Sequence, residues 1–81
     1  MKPNYIYEPF VKCLKIVLPD LQNHQISDDV TFDYLGFDSL DKVQFIIEIE
    51  KEFDIIIPDE KTERVKTIGE AFKLLLSILN P

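Results

Sequence analysis

Gly36-Phe37-Asp38-Ser39-Leu40-Asp41-Lys42-Val43-Gln44-Phe45-Ile46-Ile47-Glu48-Ile49-Glu50-Lys51-Glu52-Phe53 is the stretch on which the fold turns. Asp38 is a good N-cap, and Asp41 three residues on completes a capping box with the shorter acid, so a helix is predicted from Ser39 to Phe53. Its apolar residues form two stripes. Phe45, Ile46, Ile49 and Phe53 make a core face; Leu40, Val43 and Ile47 make a second stripe rotated toward solvent. A small bundle needs only one such face. The second stripe is either the other side of a central, twice-buried helix or a surface for a partner.

Outward from this helix, the flanks also read as helical. Upstream, Ile6, Phe10, Cys13, Leu14 and Val17 recur at helical spacing over about Tyr5 to Val17, and Pro19 ends the run. Pro9 suits only the first turn, which would move the start to near Glu8. Residues 20–38 show no period. Ile26, Val30, Phe32 and Leu35 are the expected anchors of this long connection, with a short turn capped by Ser27 or Asp28. Downstream, Ile55-Ile56-Ile57 reads as an extended link buried against the bundle. Pro58-Asp59-Glu60 starts a short helical turn through about Arg64. Thr67 and Glu70 form a second capping box, and Ile68, Ala71, Phe72, Leu75, Ile78 and Leu79 are the core face of the last helix. The fold class is all-α: a small four-helix bundle of three main helices and one short one, a single domain over 1–81.

At 81 residues and 9.5 kDa the chain has room for one thin core and no barrel or doubly wound sheet. Its net charge of −6 is concentrated: residues 20–60 hold twelve acids against Lys42 and Lys51, while both flanks are slightly basic. That excludes a basic nucleic-acid footprint and disfavours anionic membranes; a basic protein partner is the complement. One cysteine, Cys13, and one histidine, His24, leave no disulfide and no metal cluster. Cys13 lies on a core face and reads as a buried thiol. The stretch Met1-Lys2-Pro3-Asn4 carries no signal pattern, and the expectation is a cytoplasmic monomer.

Ser39 is the residue whose chemistry needs weighing. As a nucleophile it needs a base, and a triad could draw only on His24 and Asp38, without an oxyanion loop or room for a pocket. As a plain helix-start serine it needs nothing further. As a site of modification it is well placed, because the free N–H groups and dipole of a helix N-terminus favour an attached anion.

Leu35-Gly36-Phe37-Asp38-Ser39-Leu40-Asp41, then Glu48-Ile49-Glu50-Lys51-Glu52-Phe53-Asp54, then Ile57-Pro58-Asp59-Glu60 resembles, in that order and spacing, the acyl carrier proteins. The resemblance runs over about residues 32–80; the first helix matches in pattern only. It implies that Ser39 receives a covalent 4′-phosphopantetheine arm from coenzyme A through a separate phosphopantetheinyl transferase. It implies no catalysis by the chain itself. Asp38 would help position the site. Leu40, Val43 and Ile47 map onto the family's partner-docking stripe, with Asp41, Glu48 and Glu50 as charges facing basic patches on acyl-loading and elongating enzymes. Phe45, Ile46, Ile49, Ile57, Val65, Ile68, Phe72 and Leu75 would line or close an acyl-chain cavity.

Four features depart from the common fatty-acid carriers: Gln44 in place of an acid, Lys42 and Lys51 on the recognition helix, Phe37 in place of a small residue, and a loop one residue short before the serine. They suggest a specialised carrier. Aminoacyl or polyketide cargo remains open, as does an acidic helical adaptor that is never modified.

Overall fold

The computed structural model describes residues 4–80; Met1 to Pro3, and with them the reading of the N-terminal stretch, lie outside these, as does Pro81. Among the described residues the chain forms α1 (Asn4–Val17), α2 (Ser39–Phe53), α3 (Asp59–Thr62) and α4 (Ile68–Leu79), with one turn of 3-10 helix at Asn23–Gln25. This is the expected all-α bundle with one short helix.

The boundaries of α2 and α4 follow from their caps. Asp38 accepts a hydrogen bond from the Asp41 N–H at 2.8 Å, and Asp41 accepts one from the Asp38 N–H at 3.1 Å. At the other end Asp54 adopts the left-handed conformation, φ 53, and its N–H closes onto the Glu50 carbonyl. Thr67 and Glu70 repeat the box at α4, where the Glu70 carboxylate accepts from both Lys66 and Thr67 N–H groups. Those donors, Lys66 first, hold the Glu70 carboxyl below its ordinary range. Its contribution to folding is therefore present above that range and fades as pH falls through it.

α1 corrects one expectation. It starts at Asn4, so Pro9 sits inside the helix rather than in its first turn. The ring removes the donor that would reach the Tyr5 carbonyl. Tyr5 is exposed, so solvent can serve that oxygen.

The core is aromatic at its centre. Phe45 of α2 meets Phe10 of α1 edge-on at 5.5 Å between ring centroids, Phe32 at 5.7 Å and Phe37 at 6.3 Å. Phe10 also meets Phe72 of α4 at 5.1 Å. One ring from α2 thus joins α1 to the long connection, and Phe10 joins α1 to α4.

The 18–38 connection is pinned more firmly than its anchors suggested. Phe32 is buried, with Ile26, Val30 and Leu35 packed partly against the core, but Leu21 and Phe37 are buried as well. The turn at Asn23–Gln25 is capped by Gln22, not by Ser27 or Asp28. Residues 28–32 are zipped to the start of α4: Phe32 N–H to Lys66 carbonyl, Ile68 N–H to Val30 carbonyl, and Gly69 N–H to Asp28 carbonyl, all at 3.0 Å. These replace a strand pair with three rungs and a single bridge between Thr31 and Thr67.

Gly69 is required by that zipper. A Cβ there would stand 2.9 Å from both the Asp28 Cβ and its backbone oxygen. Gly69→Ala is expected to destabilise the fold by about 1–3 kcal/mol, the cost of overpacking. Thermal melting checks this; an unchanged melting temperature would mean the 28–32 segment is free to move away.

The link after α2 differs from the sequence reading at one residue. Ile57 is buried and Ile55 partly so, but Ile56 is 84% exposed. In an extended link alternate side chains point opposite ways, so the run cannot be buried as a block.

Candidate functional site

Ser39 opens α2 and is exposed. The cap beneath it belongs to Asp38 and Asp41, so its hydroxyl is not needed to hold the helix start. Gly36, at φ +92, makes the turn that delivers Asp38 and Ser39. That turn closes through the Gly36 N–H to the Asp33 carbonyl and the Phe37 N–H to the Phe32 carbonyl, both 3.0 Å. It drives Phe37 into the core, 5.2 Å from Phe32. The bulk of Phe37 therefore does not crowd Ser39.

A groove of about 480 Å³ runs beside Ser39 between α2 and the α3 region. Phe32, Phe45, Ile46, Val65 and Ala71 form its apolar wall, with Ser39, Val43 and Ile47 along one rim. Lys42, Glu50, Asp59 and Glu63 bring its charges. Of the residues expected to line an acyl cavity, Phe45, Ile46 and Val65 line this groove. Behind them a void of about 10 Å³ is bounded by Ile49, Ile57 and Leu75 as well as Phe45, Ile46 and Val65. That is no more than one water's space. Ile68 and Phe72 line neither space and are packed in the core.

The second stripe of α2 faces solvent. Leu40 is 78%, Val43 55% and Ile47 45% exposed. That removes the central, twice-buried reading of this helix. The three charges assigned to the same surface are placed differently. Asp41 is tied into the cap box. Glu48 lies 3.7 Å from the Lys51 ammonium. Glu50 accepts the Ile57 N–H at 2.8 Å, tethering the link that follows α2. That tether fixes the link on which Ile56 stands exposed; nothing in an isoleucine run marks that exposure, because such a run reads as core. Lys42, counted as a positive charge on the recognition surface, instead donates to the Val65 carbonyl at 3.0 Å and lies 5.7 Å from the centre of the Phe32 ring. His24 lies in the Asn23–Gln25 turn and does not line the groove beside Ser39.

The phosphopantetheine attachment site family matches residues 12–75 of this chain. The chain belongs to the acyl carrier protein family. Among its relatives, the mitochondrial acyl carrier protein of Saccharomyces cerevisiae is 43% identical over 60 residues, 73% of this chain and 48% of that protein. The acyl carrier protein of Caulobacter vibrioides is 41% identical over 64 residues, 75% of this chain and 82% of that one. That of Phenylobacterium zucineum is 41% identical over 64 residues, covering 75% and 81%. The chain thus spans about half the length of the yeast relative and most of the bacterial ones. An acyl carrier protein is a carrier that works with other enzymes, and its cofactor is covalent 4′-phosphopantetheine. The unmodified adaptor is accordingly not favoured. The residues present fit that group: an exposed hydroxyl on a pre-capped helix start, beside an apolar groove. No helix among the described residues is long and apolar enough to cross a membrane.

Cys13 is the one thiol the chain itself supplies. Burial, then the nearby Glu52 and Glu48 carboxylates, pushes it up from 9.0 to about 11. At pH 8 the folded apo chain is expected to react with an aromatic disulfide reagent about 100-fold more slowly than the unfolded chain, in proportion to its thiolate. The same shift means a contribution to stability present below about pH 9 and lost as pH rises toward 11. Stopped-flow absorbance checks the rate; equal rates would mean Cys13 is not held in the core.

Proposed function

We propose that Ser39 is the residue that carries the phosphopantetheine arm. The observation that carries this is its exposed hydroxyl at the first position of α2, on a helix start already capped by Asp38 and Asp41. When bound, the arm supplies a terminal thiol that holds an acyl group as a thioester. Everything else falls to the chain. Asp38 keeps the helix N-terminus formed and its free N–H groups turned toward the phosphate. The groove beside Ser39 gives an apolar chain a place out of water. Intact mass after incubation with coenzyme A and a broadly acting phosphopantetheinyl transferase tests this: one arm per chain is expected, and no gain with several transferases would count against it.

The partner surface on this reading is Leu40, Val43 and Ile47, extended by Ile56 and framed by Asp41, Glu48 and Glu50. Partners are the transferase and acyl-loading and elongating enzymes that present basic patches around an apolar pocket. Asp41 and Glu50 are held by backbone N–H groups and so offer fixed rather than mobile charge. Val43→Glu, at an exposed helical position, is expected to leave the melting temperature nearly unchanged. It should lower kcat/KM for a partner enzyme acting on the loaded carrier by about tenfold or more, since about 1.4 kcal/mol of lost docking suffices. An unchanged kcat/KM would remove Val43 from the interface.

Among the residues that depart from common carriers, Phe37 and Lys42 are turned into the core and groove rather than onto the proposed recognition surface. The case for a specialised pathway therefore rests outside the docking field on Lys42, and within it on Gln44 and Lys51 alone.

A further inference from the structure

Lys42 stands where a cargo chain would lie. Its stem follows the groove wall beside Phe32, and its ammonium donates to the Val65 carbonyl at 3.0 Å. An ammonium has three donors. Among the described residues Val65 is the one hydrogen-bond acceptor within reach, and no carboxylate comes within ion-pair distance of Lys42 although Glu50, Asp59 and Glu63 share the groove. The Phe32 ring face, 5.7 Å away, takes one further side of the cation. Solvent must serve what remains, and a chain entering the groove displaces solvent. A saturated chain would leave a half-buried ammonium short of acceptors, which is costly. A chain bearing an oxygen would replace the lost water.

We propose that Lys42 makes this groove a subsite for acyl chains that carry a neutral oxygen acceptor, a hydroxyl or a ketone near the thioester end, in preference to saturated chains. This rests on Ser39 being the tether, one helical turn before Lys42. The apolar wall still requires an aliphatic remainder. The carboxylates of Glu50, Asp59 and Glu63 weigh against an anionic cargo of the same size.

The test loads the protein with octanoyl, β-hydroxyoctanoyl and β-ketooctanoyl arms from the corresponding acyl-coenzyme A through a transferase, with intact mass confirming each product. Thermal melting is then compared between native protein, Lys42→Met and Lys42→Arg. The oxygenated cargoes are expected to raise the melting temperature at least about 4 °C more than octanoyl in the native protein, the shift of roughly one added hydrogen bond in a domain of this size. That difference should survive in Lys42→Arg and vanish in Lys42→Met. Equal stabilisation by all three cargoes, or a difference that persists in Lys42→Met, overturns the proposal. If Lys42→Met does not fold, the side-chain Cε–H resonances of Lys42 in the native protein decide: a shift with β-hydroxyoctanoyl and none with octanoyl supports it, and equal shifts overturn it. Failure of every cargo to load overturns the Ser39 tether, and this inference with it; loading without discrimination overturns this inference alone.

Discussion

Ser39→Ala is expected to abolish phosphopantetheine loading, from one arm per chain to none detectable by intact mass, while the protein stays folded. The reason is chemical and positional together. The substitution deletes the one serine hydroxyl at the start of α2; the Thr67 hydroxyl at the start of α4 is engaged by the Glu70 N–H, and the chain's other serines are Ser27, in the 18–38 connection, and Ser77, late in α4. The Ser77 hydroxyl already donates to the Leu74 carbonyl at 2.7 Å. Stability should hold because the cap is made by Asp38 and Asp41, so alanine at the exposed position that follows costs within about 0.5 kcal/mol. Circular dichroism melting separates the two effects. Loading retained in Ser39→Ala would place the arm elsewhere. Loading lost together with the fold would mean that Ser39 helps hold the cap, which the hydrogen bonds assign to its neighbours.

Phe45→Ala is expected to produce the largest loss of stability of any single change. Phe45 is buried and touches rings from α1 and from the long connection on both sides of the Gly36 turn. Truncating such a residue costs about 3–5 kcal/mol. Against a total of about 5–15 kcal/mol for a native domain, and toward the lower end for one this small, that is most of the margin. A fall in melting temperature of about 12 °C or more follows, given about 4–8 °C per kcal/mol at this size. Phe45 also bounds both the groove and the void behind it. Its removal should join the two, so Phe45→Ala should recover more stability than the native protein when loaded with a medium-length saturated chain. A loss under about 1 kcal/mol would mean that the ring cluster is not what holds α2 in place.

α2 is legible in the sequence because its signals are local. A capping box fixes where α2 starts, and the two stripes of α2 follow from a 3.6-residue period that needs no knowledge of the rest of the chain. The exposed stripe and Ser39 could be read for the same reason. What could not be read was set by distant partners. The hydrogen bonds of residues 28–32 go to 66–69, across more than thirty residues, and no period in the sequence marks the 28–32 end or its pairing with the start of α4. Leu21 is buried in the core and Phe37 is driven there by the Gly36 turn, and as isolated apolar residues in a polar stretch neither gave warning of it. Lys42 misled for a different reason. Residue type suggests solvent, whereas its helical angle lies between Phe45 and Ile49 on one side and Ile46 on the other, and a long stem lets its charged end follow the wall to a backbone oxygen. Pro9 misled because the rule against proline inside helices concerns one lost hydrogen bond, which an exposed first turn can supply from water.

The acidic middle of the chain now has a more definite meaning. Several of its carboxylates are structural: Asp38, Asp41 and Glu50 each accept a backbone N–H. Such charges serve twice, fixing the cap and the post-α2 link while contributing to the field around Leu40, Val43 and Ile47. Because Asp38 is exposed and Asp41, Glu48 and Glu50 are only half-buried, partner encounter should weaken as salt is raised toward a Debye length below about 8 Å.

The central claim, that the arm is attached at Ser39, is tested most directly by tandem mass spectrometry of the protein loaded from coenzyme A by a phosphopantetheinyl transferase. The account predicts a single modified peptide, with fragment ions placing the phosphopantetheine on Ser39 and with Ser27 and Ser77 unmodified. Phosphopantetheine found on any other residue, or a chain that stays unmodified with several transferases, would contradict it.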